Sequence, residues 1–265
     1  YNFLPTYYAI NGNKAFEIGD EDRAREWYKK ACETGRANVK LKSSYAYVLL
    51  RTGYADEAEK VLDPIIRVKG LAPEKKNLAK QQRCMVYYKQ GRLDEAIEDA
   101  QSMMNEGYRN SSIYGMLGYF KLLRNDDLDE TTKLCEEAYD YNSDDRDIKD
   151  NLSICYFRKG EYEKAEKISQ VLFSGKVNEL TSNEIEIAFK GFPVYNINER
   201  LNIVDILVKY EICSSKREAR EFITTGSISI NGNKITELDY IIDNNTTIDS
   251  KYVVIRKGKK KYFIL

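Results

Sequence analysis

Up to about Leu172 the chain carries one pattern five times over. Apolar and small residues recur every three or four positions, break at a short polar turn, then recur again, which predicts antiparallel pairs of amphipathic helices. The segments FEIGDEDRAREWYKKA, LLRTGYADEAEKVLDPI, YKQGRLDEAIEDAQSM and FRKGEYEKAEKISQVL read alike, and LLRNDDLDETTKLCEEA fits between the last two. Their turns centre on Gly19, Gly53, Gly91, Asn125 and Gly160, spaced 34, 38, 34 and 35 residues apart. Glycine or asparagine suits this place because the residue ending the first helix takes a left-handed conformation that most side chains resist. Small residues at Gly12, Ala46, Cys84, Gly118 and Ser153 let paired helices approach closely, as do Ala24, Ala58, Ala96, Thr131 and Ala165 in the second helices. The longer spacing before the third turn is absorbed around Gly70-Leu71-Ala72-Pro73, which predicts a longer surface loop.

After about Leu201 the pattern changes. Asn202 to Tyr210 is amphipathic, with Ile203, Ile206 and Leu207 on one face. Ser214 or Ser215 caps a following helix, and Glu218 stands where a capping box requires it if Ser215 is the cap. On that helix Lys216, Arg217 and Arg220 lie within one arc, while Ala219, Phe222 and Ile223 face a core and Gly226 ends the run. Ile228 and Ile230 then alternate with polar residues ahead of Asn231-Gly232, a strong two-residue hairpin signal. Val253–Ile255 and Tyr262–Leu265 are expected to pair as a second hairpin across Lys257-Gly258-Lys259.

Charge changes this picture locally. Lys plus Arg balances Asp plus Glu at 42 each, so no global field favours an anionic partner. From Lys251 to Lys261, however, six cationic residues stand without an acidic one. Cations on one helix face and on a lysine-rich ribbon can track a phosphate backbone, releasing counterions as they bind. Shape and 2′-hydroxyl contacts would then select folded RNA over duplex DNA.

The composition also excludes chemistry. There is no histidine, which removes imidazole acid–base catalysis, Ser-His-Asp or Cys-His nucleophiles and the commonest metal ligand. Five scattered cysteines form no Cys-x-x-Cys pair and read as buried thiols of a reducing cytoplasm. No apolar run is long enough to span a bilayer, so the expectation is a cytoplasmic protein without a membrane, cofactor, metal or catalytic residue.

The turn glycines together with the small and tyrosine positions of the array resemble tetratricopeptide repeats, and five such units span about residues 5–172. The resemblance implies a right-handed α-solenoid whose first helices line a groove for a peptide. Carrying the family's groove positions over gives Asn13, Tyr47, Arg51, Gln81, Gln82, Tyr88, Lys89, Tyr119, Asn151 and Arg158. Such aromatic, amide and cationic groups suit an extended acidic peptide, here unidentified. The family's carboxylate clamp is matched at Asn13, whereas Ala9, Ser44 and Gln82 depart from it. A plain solvated polar face is the competing reading.

A second resemblance covers about residues 165–265. The blocks VLFSGKVNELTSNEIEIAFKGFPVY, Leu201–Ile235 and VVIRKGKKKYFIL occur in the order found in the C-terminal part of bacterial tyrosyl-tRNA synthetases. That region is an S-four-type RNA-binding domain, so the resemblance implies tRNA as the ligand, specifically tRNA-Tyr. The residues expected to bind it are Ser215, Lys216, Arg217, Arg220, Arg256, Lys257, Lys259, Lys260 and Lys261. The family's catalytic motifs, of the HIGH and KMSKS types, are absent, and no Gly-rich phosphate loop replaces them, so no enzyme is expected.

The expected fold is therefore mainly α: a repeat array at 1–172, then a small α+β RNA-binding domain at 173–265 with its core at 200–265. Glu161–Phe173 reads both as the last helix of the array and as the helix preceding the synthetase-like FSG segment, with no flexible linker between. That shared helix suggests an engineered chimera, to be tested by whether a natural reading frame crosses it. Three functions stay open: a two-module peptide and RNA binder, an engineered scaffold using neither activity, and a natural RNA-linked adaptor.

Overall fold

The computed structural model describes residues 3–168, 177–197, 200–258 and 261–265. Among these, the repeat region forms successive helices: α1 (Leu4–Glu17) paired with α2 (Glu21–Glu33), α3 (Val39–Arg51) with α4 (Ala55–Ile66), α5 (Pro73–Lys89) with α6 (Leu93–Asn105), then α7 (Ser111–Arg124) and α8 (Leu128–Tyr141), and α9 (Arg146–Arg158) paired with α10 (Tyr162–Ile168). Gly19, Gly53, Gly91, Asn125 and Gly160 all have φ between 64° and 88°, as the turn argument requires. Helix starts follow local capping. The Asp20, Asn38, Asp127 and Asp145 side chains accept from backbone N–H groups at 2.9–3.2 Å.

The residues divide into two compact units, Tyr1–Arg124 and Asn125–Leu265. In the first, Ala24, Ala46, Ala58, Cys84 and Ala96 are fully buried between helices. Gly12 is needed for the same reason. A methyl group there would lie 2.7 Å from the Tyr28 ring. Charge is internalised as well: Arg83 is held by Asp63 at 2.9 Å and Asp99 at 2.7 Å, and the largely buried Lys80 reaches Glu106 at 2.9 Å.

The second unit holds α8–α10, α11 (Ser182–Ala188), α12 (Ile203–Lys209), α13 (Lys216–Thr224) and two small antiparallel sheets. β1 (Leu201–Asn202) pairs with β4 (Ile241–Ile242). The larger sheet has the order β3-β2-β5-β6, from β2 (Ile228–Ile230), β3 (Asn233–Ile235), β5 (Val254–Lys257) and β6 (Lys261–Ile264). Asn231-Gly232 makes the predicted two-residue turn, with φ of 50° and 87° and Ile230 paired to Asn233. The last hairpin differs from expectation. β5 runs on to Lys257, which pairs with Lys261, so Lys257 is a strand residue and not part of the turn.

One face of the larger sheet packs Ile228, Ile230 and Ile255 against Ile203, Ile206, Leu207, Ala219 and Ile223 of the two helices. The opposite face carries Tyr262, whose ring centroid lies 5.1 Å from Phe157 at the end of α9. Phe157 also touches Phe189 at 5.3 Å, Phe192 at 5.6 Å and Tyr162 at 5.3 Å. The fifth helix pair and the small domain thus share an aromatic core.

Candidate functional site

The basic helix forms as its sequence demands. Ser215 is the cap, its Oγ accepting from the Glu218 N–H at 3.2 Å. Glu218 does not return the bond to Ser215. Its carboxylate takes the N–H and hydroxyl of Ser214, at 2.7 and 2.5 Å. The other carboxylate oxygen is needed elsewhere, because Lys257 approaches it at 2.7 Å. That lysine bond and the Ser214 bonds hold the Glu218 carboxyl at about 2, well below its ordinary value.

Lys257, one of the residues expected to bind RNA, is engaged within the domain. Strand alternation points it to the same side as Ile255, towards α13. There it donates to the Ile212 carbonyl at 2.9 Å, sits over the Phe222 ring at 4.4 Å and keeps only 12% of its side chain exposed. It locks the sheet to the helix. Arg256, one residue earlier, points to the other face, where it pairs across strands with Ser229 and Tyr262. The expected single cationic surface is therefore split by the sheet. Lys216, Arg217 and Arg220 remain together and exposed on α13, with Lys216 also bonded to Asp205 at 2.7 Å. Lys261 is exposed on the helix side of β6, while Lys259 and Lys260 lie outside the described residues.

In the first unit, a cavity of about 590 Å³ opens over α1, α3 and α5. Asn13, Tyr47 and Gln82 of the predicted groove line it, with Phe16, Val39 and Leu78 as apolar wall. Lys40 and Lys75 also line it, both missed from sequence because no groove position of the family falls on them. The Asn13 side chain is held by the Tyr28 hydroxyl at 2.7 Å, and the Gln82 amide donates to the Ser43 carbonyl at 3.1 Å. Other predicted groove residues are engaged within the array. Arg51 bonds Glu21 at 2.5 Å and Gln81 bonds Ser112 at 2.7 Å. The hydroxyls of Tyr88 and Tyr119 are 3.1 Å apart, and Lys89 stands 5.8 Å from the Tyr88 ring. In the second unit Asn151 is buried in α9, and Arg158 donates to Asn125.

No group of three or more acidic or cysteine side chains is arranged to hold a metal ion, and no helix is long and apolar enough to cross a membrane, among the described residues.

These features define the class: a tetratricopeptide-type region joined to a tyrosyl-tRNA synthetase C-terminal domain. Residues 184–265 match the tyrosine–tRNA ligase SYY-like C-terminal domain. Tyrosine–tRNA ligase 1 of Bacillus cereus is 39% identical over 150 residues, covering 56% of this chain and 36% of the ligase. The corresponding ligase of Enterococcus faecalis is 38% identical over 149 residues, with the same coverages. The chain thus spans about a third of the length of these relatives. Among solved structures, a tetratricopeptide repeat protein of Parabacteroides merdae aligns with a TM-score of 0.57 at 13% identity, covering 84% of this chain and 92% of that one. MamA of Desulfovibrio magneticus aligns at 0.53 and 14% identity, covering 63% and 92%. At such identities the likeness is one of fold.

Proposed function

We propose that the chain is a non-catalytic binder with two modules, a repeat array at 1–172 that takes a peptide and a synthetase-type domain at 173–265 that takes tRNA. The observation carrying the RNA half is the arc of Lys216, Arg217 and Arg220, exposed on a helix whose opposite side is core. With Ser215 at the helix N-terminus and Lys261 on β6, it offers a backbone-binding surface from which Lys257 is withdrawn and Arg256 points away; Lys259 and Lys260 are included in the proposal from sequence alone. Filter binding of the full chain to tRNA-Tyr tests this. Affinity is expected to fall steeply as salt rises. Each phosphate neutralised contributes about 0.9 to the log–log salt slope, so Arg217→Ala/Arg220→Ala is expected to reduce that slope by about 2. Salt-insensitive binding, or an unchanged slope in the variant, would remove the claim.

For the array, the cavity beside Tyr47 with its two rim lysines supports an apolar anchor residue flanked by carboxylates as the peptide chemistry. An array of synthetic peptides probed with the labelled chain tests it. Tyr47→Ala should abolish capture of acidic–apolar peptides, and Lys40→Glu/Lys75→Glu should reverse the charge preference. Indifference to both variants would leave the array as a spacer.

A further inference from the structure

Exposed large apolar side chains cluster on α1. Phe3 at its N-cap, Leu4, Tyr7, Ile10 and Ile18 at its C-cap are each 47–76% exposed. At about 100° per residue they fall, with Asn11 and Lys14, within one arc of about 120°. Gly12 and Ala15, outside that arc, are buried. Asn11 adds little polarity to the face, because its amide donates back to the Tyr7 carbonyl at 2.9 Å. The Tyr7 ring is held edge-on to Trp27 at 6.1 Å and tilted against Tyr8 at 5.8 Å. A partner therefore meets a preformed surface and does not have to order it. With side chains of this size offering on the order of 200 Å² each, the arc leaves roughly 600 Å² open on each copy. Contiguous apolar patches of that extent mark interaction surfaces.

The arc differs from the junctions inside the array. α2 packs on α3, and Tyr45 and Val48, which stand 34 residues after Asn11 and Lys14, are buried. α1 carries an amide and a cation at those two positions, so its face does not repeat the one that meets a neighbouring helix pair. It does complement itself. In an antiparallel two-fold pairing centred between positions 10 and 11, Ile18 meets Phe3 of the other copy, Lys14 meets Tyr7, and Ile10 meets Asn11. The Lys14 ammonium then lies over an aromatic face, a favourable cation–π contact. Two such faces bury about 1,200 Å², the lower end of stable specific interfaces. The 42 cationic residues balance the 42 acidic ones, so two copies approach without global repulsion.

We propose that α1 is the contact of a closed two-fold dimer of this chain. Because the same face serves both copies, association stops at two. Sedimentation equilibrium of the full chain tests it. A dimer with a dissociation constant in the low micromolar range is expected, and Tyr7→Glu/Ile18→Glu should weaken it at least about 100-fold. Both residues are exposed, so the far-ultraviolet circular dichroism of the variant should be unchanged. Ile241→Glu, a charge placed on an exposed apolar residue of β4, should leave the dimer intact. Trp27 is the one tryptophan of the chain and packs on Tyr7, so its emission should shift to the blue over the same concentration range. A chain that stays monomeric at about 100 μM, or a dimer that survives the double variant, would overturn the proposal. So would association that Tyr47→Ala abolishes, or that grows beyond two copies, since α1 would then enter the groove of another copy and not meet its twin.

Discussion

Replacing Phe157 by alanine should unfold more than the repeat in which it sits. The side chain is 1% exposed and its ring lies 5.1–5.6 Å from those of Tyr162, Phe189, Phe192 and Tyr262. Removing a buried phenylalanine costs about 3–5 kcal/mol, from the transfer energy forfeited and the cavity left behind. The ring contacts, each worth about 0.5–1.5 kcal/mol in isolation, overlap with that figure and are not added to it. A loss near 4 kcal/mol lowers the folding constant roughly a thousandfold, against a typical total of about 5–15 kcal/mol. With a urea m-value of about 2 kcal/mol/M, the midpoint of the second unit should fall by roughly 2 M. Hydrogen exchange read by mass spectrometry supplies the sharper result. Peptides from α8–α9 and from β5–β6 should lose protection together, because one aromatic core serves both. Phe157→Leu, which keeps apolar bulk, should cost less. Full protection of β5–β6 in Phe157→Ala, with α9 alone opened, would refute the shared core.

Three further outcomes follow from the same structure. Glu218 is held at about 2 while an unfolded glutamate titrates near 4.3, so its contribution is present above the latter and is lost as pH falls towards the former. Glu218→Gln should therefore flatten the fall in urea midpoint between about pH 5 and pH 2, and an unchanged slope would show that the Lys257 lock contributes nothing. Gly12→Ala drives a methyl group into the Tyr28 ring and disturbs its bond to Asn13, so calorimetry should find a loss of about 1–3 kcal/mol. Thiol titration with Ellman's reagent at pH 8 should be slow throughout the native protein. Cys32, pushed up to about 11 by burial but partly exposed, should react before the fully buried Cys84, Cys135 and Cys155.

Much of the architecture was legible because its causes are local. A left-handed turn residue every 34–38 positions and a small residue at each helix contact leave a periodic trace that needs no knowledge of the partner helix. The same is true of Ser215 as a cap and of Asn231-Gly232 as a turn, since each is decided within four residues. Lys257 was partly legible too. Its alternation with the buried Ile255 marks it as inward-facing, a signal outweighed by the run of cations around it. The candidate sites were less legible. Arg51 and Gln81 are tied to Glu21 and Ser112, about thirty residues away, and nothing in the neighbouring sequence announces those partners.

By itself the sequence determined the repeating helices and their turns, the helix capped by Ser215, the Asn231-Gly232 turn, and that cations concentrate in the stretch from Lys251 to Lys261. These follow from propensity, capping and period, which act between near neighbours. Only the tertiary structure decided which cations remain exposed, since strand register sends Lys257 and Arg256 to opposite faces of one sheet. Only it could bring Phe157 onto Tyr262, or Asn13, Tyr47 and Lys75 around one cavity. Those juxtapositions depend on long-range packing, and side chains that meet only through it carry no common mark in the order of the chain.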